Sequence, residues 1–336
     1  MRRREFIGLL GGTAVWPRLV RAQQPAGKTY RIAIATQSAP IDDVTGTRHR
    51  VWTAFFDELQ RLGYDEGRNL AVDWHSSAGD PSGFPELARH IVALKPDAIF
   101  TSDFRMAGAL KAATTSIPIV AVTADPVTVG LVASLAKPGG NITGFSIEAG
   151  SGSELIAKNL ALLKEVAPAA SRIAWLVSRR ASESGVRDVF HEAAQAVGIT
   201  LIEAIIEPPA GEAEYRRAFA AILRDRADSL YVGANWENWV QRRLIAELAA
   251  ASRLPAMYRY REHVEAGGLM AYSIDIVDIF RRAAGYLDRV LKGANPGELP
   301  FQRPTKYELV INLKTAKALG LDLPPTLLFR ADEVIE

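Results

Sequence analysis

From Tyr30 onward, short apolar runs alternate with segments whose apolar residues recur every three or four positions. RIAIAT at 31–36 is an uninterrupted apolar stretch, as a strand covered on both faces requires. The segment from Gly46 to Leu62 sets Val51, Phe55 and Leu59 on one helical stripe, and Gly63 stands where a left-handed C-cap belongs. NLAVDWH, DAIFTS and IPIVAVTA predict three more strands, with helices over FPELARHIVAL and RMAGALKAATT between them. Strand–helix units of this length imply parallel strands joined by right-handed crossovers.

The pattern then restarts. RIAWLVS at 172–178 matches RIAIAT in placement and character, and a helix over Val186–Val197 runs up to Gly198. TLIEAII, SLYVGA, LPAMYRY and GLMAYSI predict further strands, separated by helices over EAEYRRAFAAILRDR and ENWVQRRLIAELAAAS. The Gly-, Ser- and Thr-rich stretch GGNITGFSIEAGSGS marks a boundary near Asn141–Gly150. After Ser273 come a helix over IVDIFRRAAGYLDRVLKG, an extended run punctuated by Pro296, Pro300 and Pro304, a strand over TKYELVINL and a short helix over KTAKALGL. This tail is too short for a third domain. It completes both blocks, so the chain crosses between them more than once. The expectation is an α/β protein of two lobes with parallel sheets.

The first 24 residues stand apart. Arg3 and Arg4 precede Glu5, Phe6 and Ile7, an apolar run reaches Trp16, and Arg18 and Arg21 lead to a cleavage point near Ala22. That is a twin-arginine export signal over residues 1–22. An apolar run of about 11 residues is short of the roughly 20 a bilayer needs. The chain has no cysteine, which removes an acyl anchor, disulfides, thiolate nucleophiles and cysteine metal sites. The expected location is therefore the periplasm, as a soluble protein.

Export also changes the charge. The formal net charge is +2, but the leader holds five arginines against Glu5, so its removal leaves about −2. No basic footprint for nucleic acid survives. Outside the cytoplasm no ATP or nicotinamide pool can be counted on. The five histidines have no metal spacing, and neither a G-x-S-x-G elbow nor a phosphate loop is present. No cofactor and no enzymatic activity are expected.

In open parallel sheets, ligands bind beyond the carboxyl ends of strands. The candidates in the first block are Thr36, Gln37 and Ser38, then Ser102 and Asp103, then Ala124 and Asp125. In the second they are Ser178 with Arg179 and Arg180, Asn235 and Trp236 with Glu237, and Glu262. Asp125 precedes Pro126 and also suits the N-cap of a helix over Val127–Leu135. An arginine pair could hold a carboxylate in bidentate fashion.

The stretch Thr123–Gly144, TADPVTVGLVASLAKPGGNITG, resembles the D-P-V-x-x-G-L-V-x-S-L-x-x-P-G-G-N-x-T-G signature of the ABC-transporter substrate-binding proteins related to the tryptophan/tyrosine-binding type. The tail from Gly267 to Glu336 and the leader MRRREFIGLLGG are similar to that family as well. The resemblance implies a type I periplasmic binding protein: two Rossmann-like lobes joined by three hinge crossings, near Thr143–Ile147, Met270–Ser273 and Pro300–Pro304. It implies residues 28–144 plus 270–300 as the first lobe and 145–269 plus 301–336 as the second. A small polar ligand, an amino acid or related carboxylate, would be captured by hinge closure and passed by a monomer to an ABC permease in the inner membrane.

Asp125 and Pro126 match the signature, while Thr36–Pro40 and Ser102 match ligand-facing loops in position. Ser178-Arg179-Arg180 stands where relatives carry an N-P-N-type sequence, and Ala234-Asn235-Trp236 where they carry a D-P-F-F-type turn. Both departures point to a ligand with more negative charge than an aromatic amino acid. Two rivals remain: an exported α/β enzyme using Asp103, Asp125, Glu237 and Glu262, and a ligand-sensing module that docks on a receptor.

Overall fold

The computed structural model describes residues 28–36, 47–77, 81–147 and 153–336. The expected leader lies outside them. The first five strands are β1 (Tyr30–Thr36), β2 (Leu70–Ser76), β3 (Ala98–Thr101), β4 (Ile119–Thr123) and β5 (Ile142–Ser146). They form one all-parallel sheet in the order β2-β1-β3-β4-β5. The next seven are β6 (Arg172–Ser178), β7 (Thr200–Ile206), β8 (Ser229–Val232), β9 (Ala256–Tyr258), β10 (Met270–Ile274), β11 (Tyr307–Asn312) and β12 (Glu333–Ile335). They form a second sheet in the order β12-β11-β10-β9-β8-β6-β7.

The helices are α1 (Thr47–Arg61), α2 (Phe84–Ala93), α3 (Phe104–Ala113), α4 (Ser153–Val166), α5 (Arg179–Ala181), α6 (Arg187–Ala196), α7 (Glu212–Arg224), α8 (Trp236–Val240), α9 (Arg242–Ala251), α10 (Arg261–Glu265), α11 (Ile276–Leu291), α12 (Leu313–Leu319) and α13 (Pro325–Arg330).

The stripe predicted for α1 is buried: Val51, Phe55 and Leu59 are all in the core. Its partner is α11, whose Ile279, Phe280, Ala283, Ala284 and Leu287 form a continuous buried face. Trp52 is the hub, with Trp74 at 4.8 Å and Phe280 at 5.2 Å between ring centroids, both edge-on. Phe280, which is buried, contributes roughly 1.5–3 kcal/mol through burial. In the second lobe Trp175 stacks on Phe190 at 4.3 Å with planes 12° apart.

The chain passes between the lobes three times. It leaves β5 after Ser146, where the Ile147 amide donates to the Thr123 carbonyl at 2.7 Å. It returns through Asp275, between β10 and α11. It leaves again after Gln302, which pairs beside β5: its amide donates to Gly144 at 3.0 Å and its carbonyl accepts from Ser146 at 2.8 Å.

These crossings shift the expected lobe boundaries. Met270–Ile274 belongs to the second sheet, where it pairs with β9 and β11, rather than to the first lobe. Phe301 and Gln302 belong to the first lobe, because the Phe301 amide is held by the Leu135 carbonyl at 2.8 Å and its ring joins the first-lobe core.

The second sheet is also not wholly parallel, since β11 runs antiparallel to β10. The chain re-enters that lobe at the carboxyl end of β10, so its next strand must run back down. Both β5 and β10 end at a crossing. The carboxyl ends of the two parallel arrays therefore meet at the junction of the lobes.

Candidate functional site

Three turns of the first lobe, after β1, β3 and β4, end at that junction. Thr36 closes β1 half-buried, and Ser102 is exposed after β3. Asp103 is the N-cap of α3: its Oδ1 accepts from the amides of Arg105 and Met106 at 2.8 and 2.9 Å. After β4, Ala124 is half-buried and Asp125 is buried, with Oδ1 accepting from the Val127 and Thr128 amides, each at 3.0 Å.

The helix expected over Val127–Leu135 is absent. A single turn forms instead, closed by the Leu131 amide on the Pro126 carbonyl at 2.8 Å. The β-branched run Val127-Thr128-Val129 disfavours helix, and Gly130 at φ +73° ends the turn. Asp125 thus caps a turn, not a helix. Gln37 and Ser38 lie outside the described residues, as does the Trp236 side chain.

In the second lobe Ser178 is buried and Arg179 is exposed. The Arg179 guanidinium is engaged by Glu207, with Nε 3.1 Å from Oε1, and the two charges hold each other's pKa values apart, up for the arginine and down for the acid. Asn235 donates to Glu237 at 3.0 Å and accepts from Asn238 at 2.9 Å. Asn238, which sequence reasoning missed, is fully buried. Its Nδ2 also donates to the carbonyls of Leu176 and Gly233, and its Oδ1 accepts from the Tyr215 hydroxyl at 2.9 Å. It ties the ends of β6 and β8 to α8. The Asn238 carbonyl faces His263 Nε2 at 3.2 Å, and burial pushes the His263 imidazole down to about 4.

Glu262 is buried, and loss of solvent raises its carboxyl above the usual range. Its partner comes from the other lobe: Arg50 of α1 stands 3.5 Å away and reaches Glu265 at 3.8 Å. A groove of about 820 Å³ follows this flank, lined by Arg50, Thr53 and Asp57 of α1, Arg281 of α11 and Arg261 and Glu308 of the second lobe. Charges on its second-lobe wall are paired with one another, as in Arg261 with Glu308 at 2.8 Å.

Three apolar side chains follow adjacent first-lobe strands and are exposed: Phe104 after β3, Val127 after β4 and Ile147 after β5, at 38%, 42% and 37%. A cation completes this edge. Arg303, first residue of the third crossing, places its guanidinium 3.9 Å from Asp125. The Pro300–Pro304 punctuation marked that segment, but nothing local distinguished the arginine. Asp103, Asp125, Glu237 and Glu262 are spread over both lobes, each engaged by the partner named above. Among the described residues no three His, Asp or Glu side chains gather as a metal site, and no helix is long and apolar enough to cross a membrane.

Two α/β lobes whose strand ends meet where the chain crosses between them three times define the type I periplasmic binding protein class. The chain matches the family described as ABC transporter substrate binding protein over residues 46–335, and it belongs to that family. It is 29% identical over 270 residues to a tyrosine-binding protein of Clostridioides difficile (strain R20291), covering 80% of this chain and 75% of that protein.

A conserved domain protein from Vibrio cholerae superposes with TM-score 0.78 at 27% identity, covering 91% of this chain and 100% of that one. The ABC domain from Streptococcus pneumonia, solved in complex with L-Trp, gives TM-score 0.77 at 24% identity, covering 92% and 100%.

Proposed function

We propose that this chain is the exported solute receptor of an ABC import system, and that it captures an amino acid with an apolar side chain between its lobes. The observation carrying this reading is the row Phe104, Val127 and Ile147. Three exposed apolar side chains on neighbouring strand ends give a ligand one dry wall, while the turns around them offer polar groups.

The relatives named for tyrosine and solved with L-Trp support the same class of ligand. The expectation of a more anionic ligand rested on both departures, Ser178-Arg179-Arg180 and Ala234-Asn235-Trp236, of which the first brings the charges of Arg179 and Arg180. Glu207 offsets the first of these charges, which weakens that argument. Ligand contact by Ser102, Asp125 and Asn235 is retained in this reading.

Closure would follow from a ligand touching both lobes, and a membrane permease would then read the closed form. The leader reading places this in the periplasm. A thermal-shift screen of amino acids and small carboxylates on the processed protein tests the reading. A ligand at about 100 times its Kd adds roughly 2.7 kcal/mol, a shift of several degrees. A broad library in which no amino acid stabilises the protein would overturn it.

A further inference from the structure

Four arginines near the cleft are committed to neighbours. Arg50 serves Glu262 and Glu265, and Arg179 serves Glu207. Arg282 lies over the Phe145 ring at 5.0 Å and bonds Gln302 and Thr305. Arg261 is shared by Glu265, Glu308 and Glu333. Arg303 differs. Among the described residues its ionic neighbour is Asp125 Oδ2 at 3.9 Å, beyond hydrogen-bond reach, and half of its side chain is exposed.

Its backbone is nonetheless fixed. Gln302 is hydrogen-bonded into the edge of β5 on one side, and the buried Pro304 biases Arg303 to an extended conformation on the other. Side chains alternate along this segment. Phe301 enters the core between the sheet, α2 and α3, Gln302 turns to Tyr286 on α11, and Arg303 turns back toward the Asp125 turn. An arginine whose donors are unfilled among the described residues is thus held on the crossing itself, where both lobes can reach whatever it binds.

We propose that Arg303 is the carboxylate anchor of the binding cleft. Its planar fork takes the ligand carboxylate in bidentate fashion. The adjacent Asp125 carboxylate, already fixed by two backbone amides through Oδ1, faces the ammonium group. The pair is the charge complement of an α-amino acid zwitterion, and the wall of Phe104, Val127 and Ile147 beside it receives the apolar side chain. This rests on the amino-acid reading given above.

The test compares wild type, Arg303→Gln and Arg303→Lys by titration calorimetry on the processed protein. Three matched pairs serve as probes: L-tryptophan with tryptamine, L-tyrosine with tyramine, and L-leucine with isoamylamine. Wild type is expected to bind at least one amino acid well above its decarboxylated partner. Arg303→Gln should lower that amino acid's affinity about 30-fold while moving the amine less than about threefold, as loss of one charge-assisted pair implies. The lysine variant, which keeps the charge and loses the fork, should recover part of the affinity.

If Arg303→Gln retains the wild-type preference for the carboxylate-bearing probe, the anchor assignment fails while the amino-acid reading stands. If wild type binds none of the three amino acids, the anchor assignment fails, and the broad thermal-shift screen alone decides the amino-acid reading. Should the glutamine variant not fold, Arg303→Lys carries the test alone, and a preference equal to wild type overturns the assignment.

Discussion

Arg50 of α1 and Glu262 of α10 lie 3.5 Å apart, 212 positions separated in sequence, and join the two lobes at the edge of their junction. The glutamate is buried while the arginine is one-third exposed. Burial raises the Glu262 carboxyl, so ionising it costs stability as pH rises past the normal carboxylate range.

Glu262→Gln should therefore leave the unliganded melting temperature unchanged or slightly higher. It should also remove a contact that bridges the two lobes. Ligand dissociation measured by stopped flow should speed up by up to about fivefold, the scale of a partly exposed pair. A drop in unliganded stability with no change in dissociation would show that the pair serves the fold alone.

Gly144 sits in β5 at φ +148°, and a Cβ there would lie 1.8 Å from the Ala121 carbonyl oxygen. Gly144→Ala should cost more than about 4 kcal/mol or abolish folding, because the clash is with backbone that cannot turn aside. Gly140, at φ +68° with open space around its Cβ position, provides the contrast. Gly140→Ala should cost about 1–2 kcal/mol from the left-handed backbone alone. Urea denaturation of both variants measures the difference.

Those glycines show what the family resemblance encodes. In the stretch Thr123–Gly144, Asp125 closes a turn, and the Gly139 amide donates to Gly297 at 3.1 Å. Asn141 holds the carbonyls of Thr114 and Ile117 at 3.0 and 2.8 Å, and the Thr143 hydroxyl donates to Leu299 at 2.7 Å. The most recognisable stretch of the chain thus largely builds the hinge side of the first lobe. The strands around it were legible wherever the apolar run was unbroken, as in β1, β4 and β6.

β5 was not legible as a strand, because Thr143, Gly144 and Ser146 interrupt its run although all five residues are buried. The positions of Ser102 and Asp125 just beyond β3 and β4 were legible through the strand-end rule. Arg50, Asn238 and Arg303 were not, because each acquires its meaning from residues brought near by the fold. The same blindness hid Glu207 from the reading of Arg179.

His263 is fully buried, stacked on Tyr258 at 5.1 Å, and its pKa falls to about 4. The unfolded chain takes up a proton near 6.5, the folded one only near 4. Stability is therefore complete above pH 6.5 and declines as pH falls toward 4, by about 3 kcal/mol in all from this group. His263→Gln should flatten that slope, at the cost of a lower stability at neutral pH from disturbed packing. Chemical denaturation between pH 4 and 7.5 reads both effects. An unchanged slope would show that other groups carry the acid sensitivity.

Phe104 and Ile147, like Val127, stand at ends of first-lobe strands with more than a third of their surface open. Exposed side chains of this kind contribute little to folding, so Phe104→Ser and Ile147→Ser should each change stability by less than about 1 kcal/mol. A ligand resting its apolar side chain on them loses part of that contact. Affinity for the amino acid that stabilises the protein best should then fall about tenfold per substitution, with small polar amino acids less affected. Titration of both variants against the same panel would decide the matter: equal losses for apolar and polar ligands would place the ligand's side chain elsewhere in the cleft, whereas a selective loss would fix it against the ends of β3 and β5.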